Sequence, residues 1–94
     1  GIRVTELNDA LRQQFRVPDD VDGVLVTGVR PESPAQEAGL RPGVVILQVD
    51  GEEVETADDL REKISNAKDD NKEAVLLRMQ IGANRQFGAL SLDD

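Results

Sequence analysis

The segment Pro31–Gly51, PESPAQEAGLRPGVVILQVDG, constrains the chain more than any other, because it holds three prolines and three glycines around two short apolar runs. Ser33 precedes Pro34 and stands three residues before Gln36. That is a capping-box pattern with proline at the first helical position. Gly39 followed by Leu40 supplies the left-handed residue and apolar contact that close a helix. SPAQEAGL therefore predicts a helix of one to two turns with both ends specified. Arg41-Pro42-Gly43 predicts a turn, Pro42 presetting φ and Gly43 taking positive φ. Val44 to Val49 predicts a strand, and Asp50-Gly51 a hairpin turn from which Glu52, Glu53 and Val54 return. Helix, turn, strand and hairpin follow one another with no slack loop.

The flanks extend this pattern. IRVTEL predicts a short strand from Ile2. Asn8 is placed to cap a short amphipathic helix in which Leu7, Leu11 and Phe15 recur four apart. That helix should stop near Val17, because the residue before Pro18 is steered out of the helical region. VPDDVDG predicts a turn. Val24 to Val29 is apolar on both faces, as a central strand is. Thr56 is placed to cap ADDLREKISNA, with Asp58 and Asp59 where they suit the helix dipole. KDDNKE predicts a charged loop, Ala74 to Ile81 a strand, GAN a turn, and RQFGALSL a last strand with Phe87, Ala89 and Ser91 on one face. Asp93 and Asp94 are expected to fray. The order fits a small α+β fold, a curled antiparallel sheet with two or three helices over its open ends.

Ninety-four residues suffice for one domain with one core. The chain has no cysteine and no histidine, which excludes disulfides and a Cys/His zinc site. No apolar run approaches the ~20 residues of a membrane span. The opening GIRVTEL is expected to be the edge of an excised segment rather than a natural start. With 19 acidic and 11 basic residues the formal charge is −8, which argues against nucleic acid as a partner and weakly against acidic partners at long range. Phe15 and Phe87 are the two aromatics, so there is no stacking platform for bases.

Catalysis lacks its parts. Without His or Cys, a serine or threonine nucleophile would need an unusual base. Ser33 is better explained as a helix cap, and Ser65 and Ser91 have no visible base. The acid pairs Asp19-Asp20, Glu52-Glu53 and Asp58-Asp59 fall in turns or at a helix start, where solvated surface is the ordinary reading. No calcium loop and no phosphate-cradling glycine motif is present. Binding remains. A small sheet domain binds peptide most simply by adding an extended strand to an exposed edge, and backbone N–H groups can capture a terminal carboxylate.

GVLVTGVRPESPAQEAGLRPGVVILQVDGEEVETADDLREKI resembles a PDZ domain, closely over Val24 to about Ile64 and acceptably in the flanks. Many fixed spacings agree at once: apolar strand, V-x-x-x-S-P-A-x-x-A-G-L-x-x-G, a strand ending in V-D-G, then a helix. TELNDALRQQFRVPDDVDGVLVTGV is similar to the PDZ domains of the HtrA/Deg family of envelope serine proteases, and the whole chain to the second, C-terminal PDZ domain of a Do-type (DegP/DegQ-like) member. The resemblance implies a partial barrel of five to six antiparallel strands capped by two main helices, in the permuted bacterial order that puts the ligand-binding strand near the start. It implies one PDZ domain over residues 1–94, excised from a larger protease chain, with no enzymatic activity of its own, no metal and no cofactor.

The family's site can be carried over residue by residue. Its carboxylate loop ends in apolar-Gly-apolar, which falls here on Gly1 and Ile2. The strand that pairs with peptide is then Ile2, Arg3, Val4 and Thr5. Ile2 and Val4 would line the pocket for the ligand's last side chain and Ile64 would close it. Ala57 would face the third-from-last ligand residue, with an apolar preference there, and Arg61 would border the groove. Ile2, Val4 and Ile64 equally suit an ordinary core, Ala57 a good helix former and Arg61 a solvated charge. Val44 departs from the family, which usually has Asp after Gly43. The implied partners are peptide or unfolded segments and the other domains of a homo-oligomeric parent, in the bacterial periplasm. The competing reading is an assembly role through PDZ–PDZ or PDZ–protease contacts.

Overall fold

A computed structural model describes residues 2–92. Gly1, the expected carboxylate-loop glycine, and Asp93-Asp94, the expected frayed end, lie outside the described residues. The elements run β1 (Ile2–Glu6), α1 (Asp9–Phe15), β2 (Val24–Val29), α2 (Pro34–Glu37), β3 (Val45–Val49), β4 (Glu52–Glu53), α3 (Ala57–Asp69), β5 (Ala74–Ile81) and β6 (Asn84–Ser91). The strands form one sheet in the order β1-β2-β3-β5-β6, with β4 on β3, and the pairings are antiparallel. The sheet curls: Ile2 from one end of this path and Leu90 from the other line the same hollow. This is the expected α+β fold.

Local chemistry sets the ends of each element. Asn8 accepts the Leu11 amide at 2.8 Å and starts α1. Arg16, at φ 56°, closes α1 in the left-handed region, so the helix ends before the restriction imposed by Pro18 is reached. The Ser33 hydroxyl accepts the Gln36 amide at 3.3 Å and donates to the Arg30 carbonyl at 2.6 Å. The reciprocal bond of the box falls one residue early, from the Glu32 amide to Gln36 Oε1 at 2.8 Å. Gly39, at φ +95°, lets the buried Leu40 send its amide back to the Ala35 carbonyl at 3.1 Å. Asp50 and Gly51 both have positive φ, as the tightest hairpin turn requires.

The alternation of β2 explains why it is apolar on both faces. Val24 and Val26 enter the main core with Ile46, Leu77 and Met79, which Ala35 of α2, Leu40 just after it, and Leu60 and Ala67 of α3 cover. Leu25 points the other way, into a smaller cluster with Val17, Val21 and Val45 that Leu11 and Phe15 of α1 cover. Each Val, Leu, Ile or Met among them contributes about 1.5–3 kcal/mol when fully buried. Val44 is 1% exposed and belongs to the main core, so an aspartate there would bury a charge.

Arg12 ties the Val17–Asp22 loop to α1. Its Nη1 donates to the carbonyls of Val21 at 2.6 Å, Pro18 at 3.1 Å and Asp19 at 3.4 Å, and Nη2 reaches Asp22 at 3.2 Å. Arg12→Ala is expected to cost about 1–2 kcal/mol, read as a lower urea midpoint. Arg12→Lys should recover less than half, because one ammonium cannot span the carbonyls that the planar fork serves.

Asp50 joins the β3–β4 turn to β5. Its Oδ1 accepts the Leu76 amide at 2.8 Å, its Oδ2 meets Lys72 Nζ at 3.1 Å, and its own amide donates to the Leu76 carbonyl at 2.8 Å. The Leu76 amide above all, and then Lys72, hold its carboxyl below the usual 3.8. The folded state therefore binds the proton less tightly than the unfolded chain. The resulting stabilisation is complete above the ordinary carboxylate range and is lost as pH falls through the depressed value. Urea midpoints measured from pH 6 down to pH 2.5 should fall less steeply in Asp50→Asn than in the parent chain. Parallel slopes would contradict this role.

Candidate functional site

β1 ends the sheet. It pairs with β2 along one edge, from Ile2↔Val29 to Glu6↔Val24, and its other edge has no strand partner among the described residues. A register shift between Arg3 and Val4 marks a bulge, and the Thr27 hydroxyl donates to the Arg3 carbonyl at 3.3 Å beside it. Such a bulge increases strand twist. α3 lies alongside β1.

The position of α3 follows from its sequence. Thr56 accepts the Asp59 amide at 3.0 Å to start the helix, and Asp58 and Asp59 occupy the first turn. Leu60 and Ala67 are buried and fix one face on the core. Ile64, between them in the helical repeat, is half-buried and packs at the edge of that core. Lys63 of the same helix reaches Glu52 at 2.7 Å and ties α3 to β4.

Ile2 and Ile64 meet in a hollow of about 600 Å³, in the size range of ligand sites. Ala35, Leu90 and Leu92 add apolar surface, and Arg30, Glu32 and Lys68 add charge. The arrangement offers main-chain hydrogen bonding along one edge and apolar contact at one end. The Ser33 hydroxyl in this wall is engaged with the backbone of Arg30 and Gln36, as its capping role requires.

The expected site residues fall in different places. Ile2 and Ile64 share the hollow and also pack on the main core, so lining and core packing coincide for these two, whereas Val4 packs on the same core outside the walls of the hollow. Arg3 is exposed and Thr5 half-buried on the same strand. Ala57 and Arg61 stand on α3 outside the walls of that hollow. Arg61 is 72% exposed in its side chain and lies 3.5 Å from Asp58. Sequence reasoning missed Lys68, although its spacing of four from Ile64 puts both on one helix face. It also missed Arg30, Leu90 and Leu92, which arrive through long-range pairing that carries no local signal.

These features define a class: a small binding module with an open antiparallel sheet, whose first strand presents an unpaired edge beside a helix. A family model for the PDZ domain matches residues 25–78, and the chain belongs to the PDZ domain family. It is 39% identical over 75 residues to a probable periplasmic serine endoprotease, DegP-like, of Brucella suis biovar 1, an alignment covering 80% of this chain and 15% of the relative. It is 33% identical over 94 residues to the corresponding DegP-like protein of Chlamydia muridarum, covering all of this chain and 18% of the relative. The chain thus spans under a fifth of the curated relatives it matches. The crystal structure of the HtrA3 PDZ domain bound to a phage-derived ligand (FGRWV) superposes with a TM-score of 0.78 at 24% identity, over 97% of this chain and 80% of that one. The fold is therefore that of a PDZ domain. No helix among the described residues is long and apolar enough to cross a membrane.

Proposed function

We propose that residues 1–94 are the peptide-binding PDZ domain of an HtrA-type periplasmic serine protease, and that they capture an extended peptide by strand addition between β1 and α3. The unpaired edge of β1, beside the hollow that Ile2 and Ile64 share, carries this reading. The ligand's main chain pairs with Ile2–Thr5, and its last side chain enters the hollow. Ala57, lacking a polar group, favours an apolar third-from-last ligand residue. Proteolysis resides in other segments of the parent, which assembles as a homo-oligomer and acts on unfolded chains. An amide NMR titration with the peptide FGRWV tests this reading. Shifts along Ile2–Thr5 and Ala57–Ile64 that saturate with peptide are expected, and their absence overturns it.

A specific observation favours a second reading, assembly through PDZ–PDZ or PDZ–protease contacts. Phe87 is 63% exposed and Leu76 47% exposed. The register places both side chains on the same outer face of β5–β6, with the Arg78 guanidinium 5.8 Å from the Phe87 ring centre. Self-association that Phe87→Ser abolishes, together with a silent titration, would move the function to that face.

A further inference from the structure

We propose that the outer edge of β6 is a second strand-addition site, for an extended partner segment in which a carboxylate side chain and an apolar one stand two residues apart on one face. It is independent of the groove, because β6 ends the strand order opposite β1. It goes beyond the assembly reading in naming what the contacting segment must carry. β6 runs eight residues and pairs with β5 along its whole length. Beyond that pairing, no residue from Asn84 to Leu90 makes a backbone hydrogen bond with another described residue. An edge this long is ordinarily blunted by charge, proline or a bulge. Here Arg85 is the one charged residue of the strand, no proline occurs in it, and the register with β5 is unbroken.

Charge selects the partner. The hairpin Ala74–Ser91 holds none of the 19 acidic residues and carries Arg78 and Arg85, +2 in a chain of −8. Neither arginine forms an ion pair with a described residue. Arg85 is nonetheless held in place. The buried Gln80 donates to the Gly82 carbonyl at 2.7 Å and accepts from Arg85 Nε at 3.0 Å, which leaves the two Nη groups unengaged. Arg78 Nε is buried without a hydrogen-bond partner, and its guanidinium lies 5.8 Å from the ring centre of the exposed Phe87. The register sets Arg78 opposite Phe87 on one face, with Arg85 two residues away on β6. A carboxylate laid beside these arginines supplies the missing counter-charge, and an apolar side chain two residues along covers Phe87, as cross-strand neighbours do. A second copy pairing through the same edge would bring arginines to arginines and no carboxylate. Asp20, Asp22, Glu53 and Glu55 share a hollow with both arginines but pair with neither. β4, which carries Glu53, lies across β3 from β5, so the edge of β6 is the far side from it.

The probe is the peptide TETVTET, acetylated and amidated so that it offers the β1 groove no terminal carboxylate. Glu and Val alternate on one of its faces, and the pattern reads the same in both directions. Its twin is TQTVTQT, blocked in the same way. Both are titrated into the isotope-labelled chain and followed by amide NMR. Saturating shifts at Asn84–Ser91 are expected, with TQTVTQT bound at least about threefold more weakly. Arg85→Gln, at an exposed position, should weaken TETVTET roughly three- to fivefold and leave TQTVTQT unchanged. Phe87→Ser should weaken both alike. Added salt should compress the preference in the parent chain more than in Arg85→Gln. Equal binding of the two peptides would overturn the proposal, because the edge would then pair without reading charge. Shifts at Ile2–Thr5 in place of Asn84–Ser91 would overturn it and put the peptide in the groove. Silence with both peptides would overturn it too, and self-association lost in Phe87→Ser would then leave the assembly reading standing.

Discussion

Gly88→Ala is expected to destabilise the domain by about 3 kcal/mol and to lower Tm by roughly 10–20 °C. A Cβ on residue 88 would lie 2.5 Å from the Ala38 carbonyl oxygen and 2.7 Å from the Met79 terminal methyl. The methionine end can swing aside. The carbonyl cannot, because it follows α2, whose end is held by the Gly39 and Leu40 backbone and by the buried Leu40 side chain. Relief therefore requires α2 to lift from β6, and α2 carries Ala35 of the main core. Gly51→Asn is the control: nothing lies within 4 Å of its added Cβ, and asparagine tolerates the positive φ found there. Thermal melts of both variants check the contrast. A Tm loss under about 4 °C for Gly88→Ala would mean that α2 shifts at little cost.

Ile64→Asp is expected to reduce affinity for a free-acid peptide by about 30-fold or more, the loss that marks a hot-spot residue of an interface. Two effects add. The side chain that meets Ile2 at the hollow is lost, and a new carboxylate faces the ligand's own. Ile64 is half-buried, so the variant should still fold, and its amide spectrum and melt verify this before binding is measured. A folded Ile64→Asp that binds FGRWV like the parent chain would remove the hollow from the binding account.

The turns and caps were legible because their causes are local. Asn8, Ser33 and Thr56 each accept an amide three residues on, and Gly39, Gly43 and Asp50-Gly51 take the positive φ that their contexts require. The element order follows from these signals and the apolar runs between them. Which side of β6 faces inward was not legible. Alternation puts Phe87, Ala89 and Ser91 on one face, but that face is exposed, and Leu90 is buried on the other. The choice is made by α2, whose Ala38 carbonyl approaches Gly88 from the inner side. The site was legible as two elements, β1 and α3, and only partly as residues. Ile2 and Ile64 meet, whereas Arg30, Leu90 and Leu92 join them through long-range pairing. The identity of the family rested on spacing shared along one stretch, Val24 to about Ile64, within which most of the match at residues 25–78 falls.

The open edge of β1 also sets a pattern in time. Along an antiparallel edge strand, alternate amides point to the neighbouring strand and to solvent. In the ligand-free domain, deuterium should therefore replace hydrogen rapidly at every second amide of Ile2–Glu6 and slowly at the others, while Val24 and Leu25 of β2, paired on both sides, exchange slowly. Strand addition would slow the fast set and leave the slow set unchanged. Closure of α3 over the strand without new pairing would slow both sets alike. The alternation in exchange rates along five residues thus distinguishes a peptide that joins the sheet from one that only shelters it.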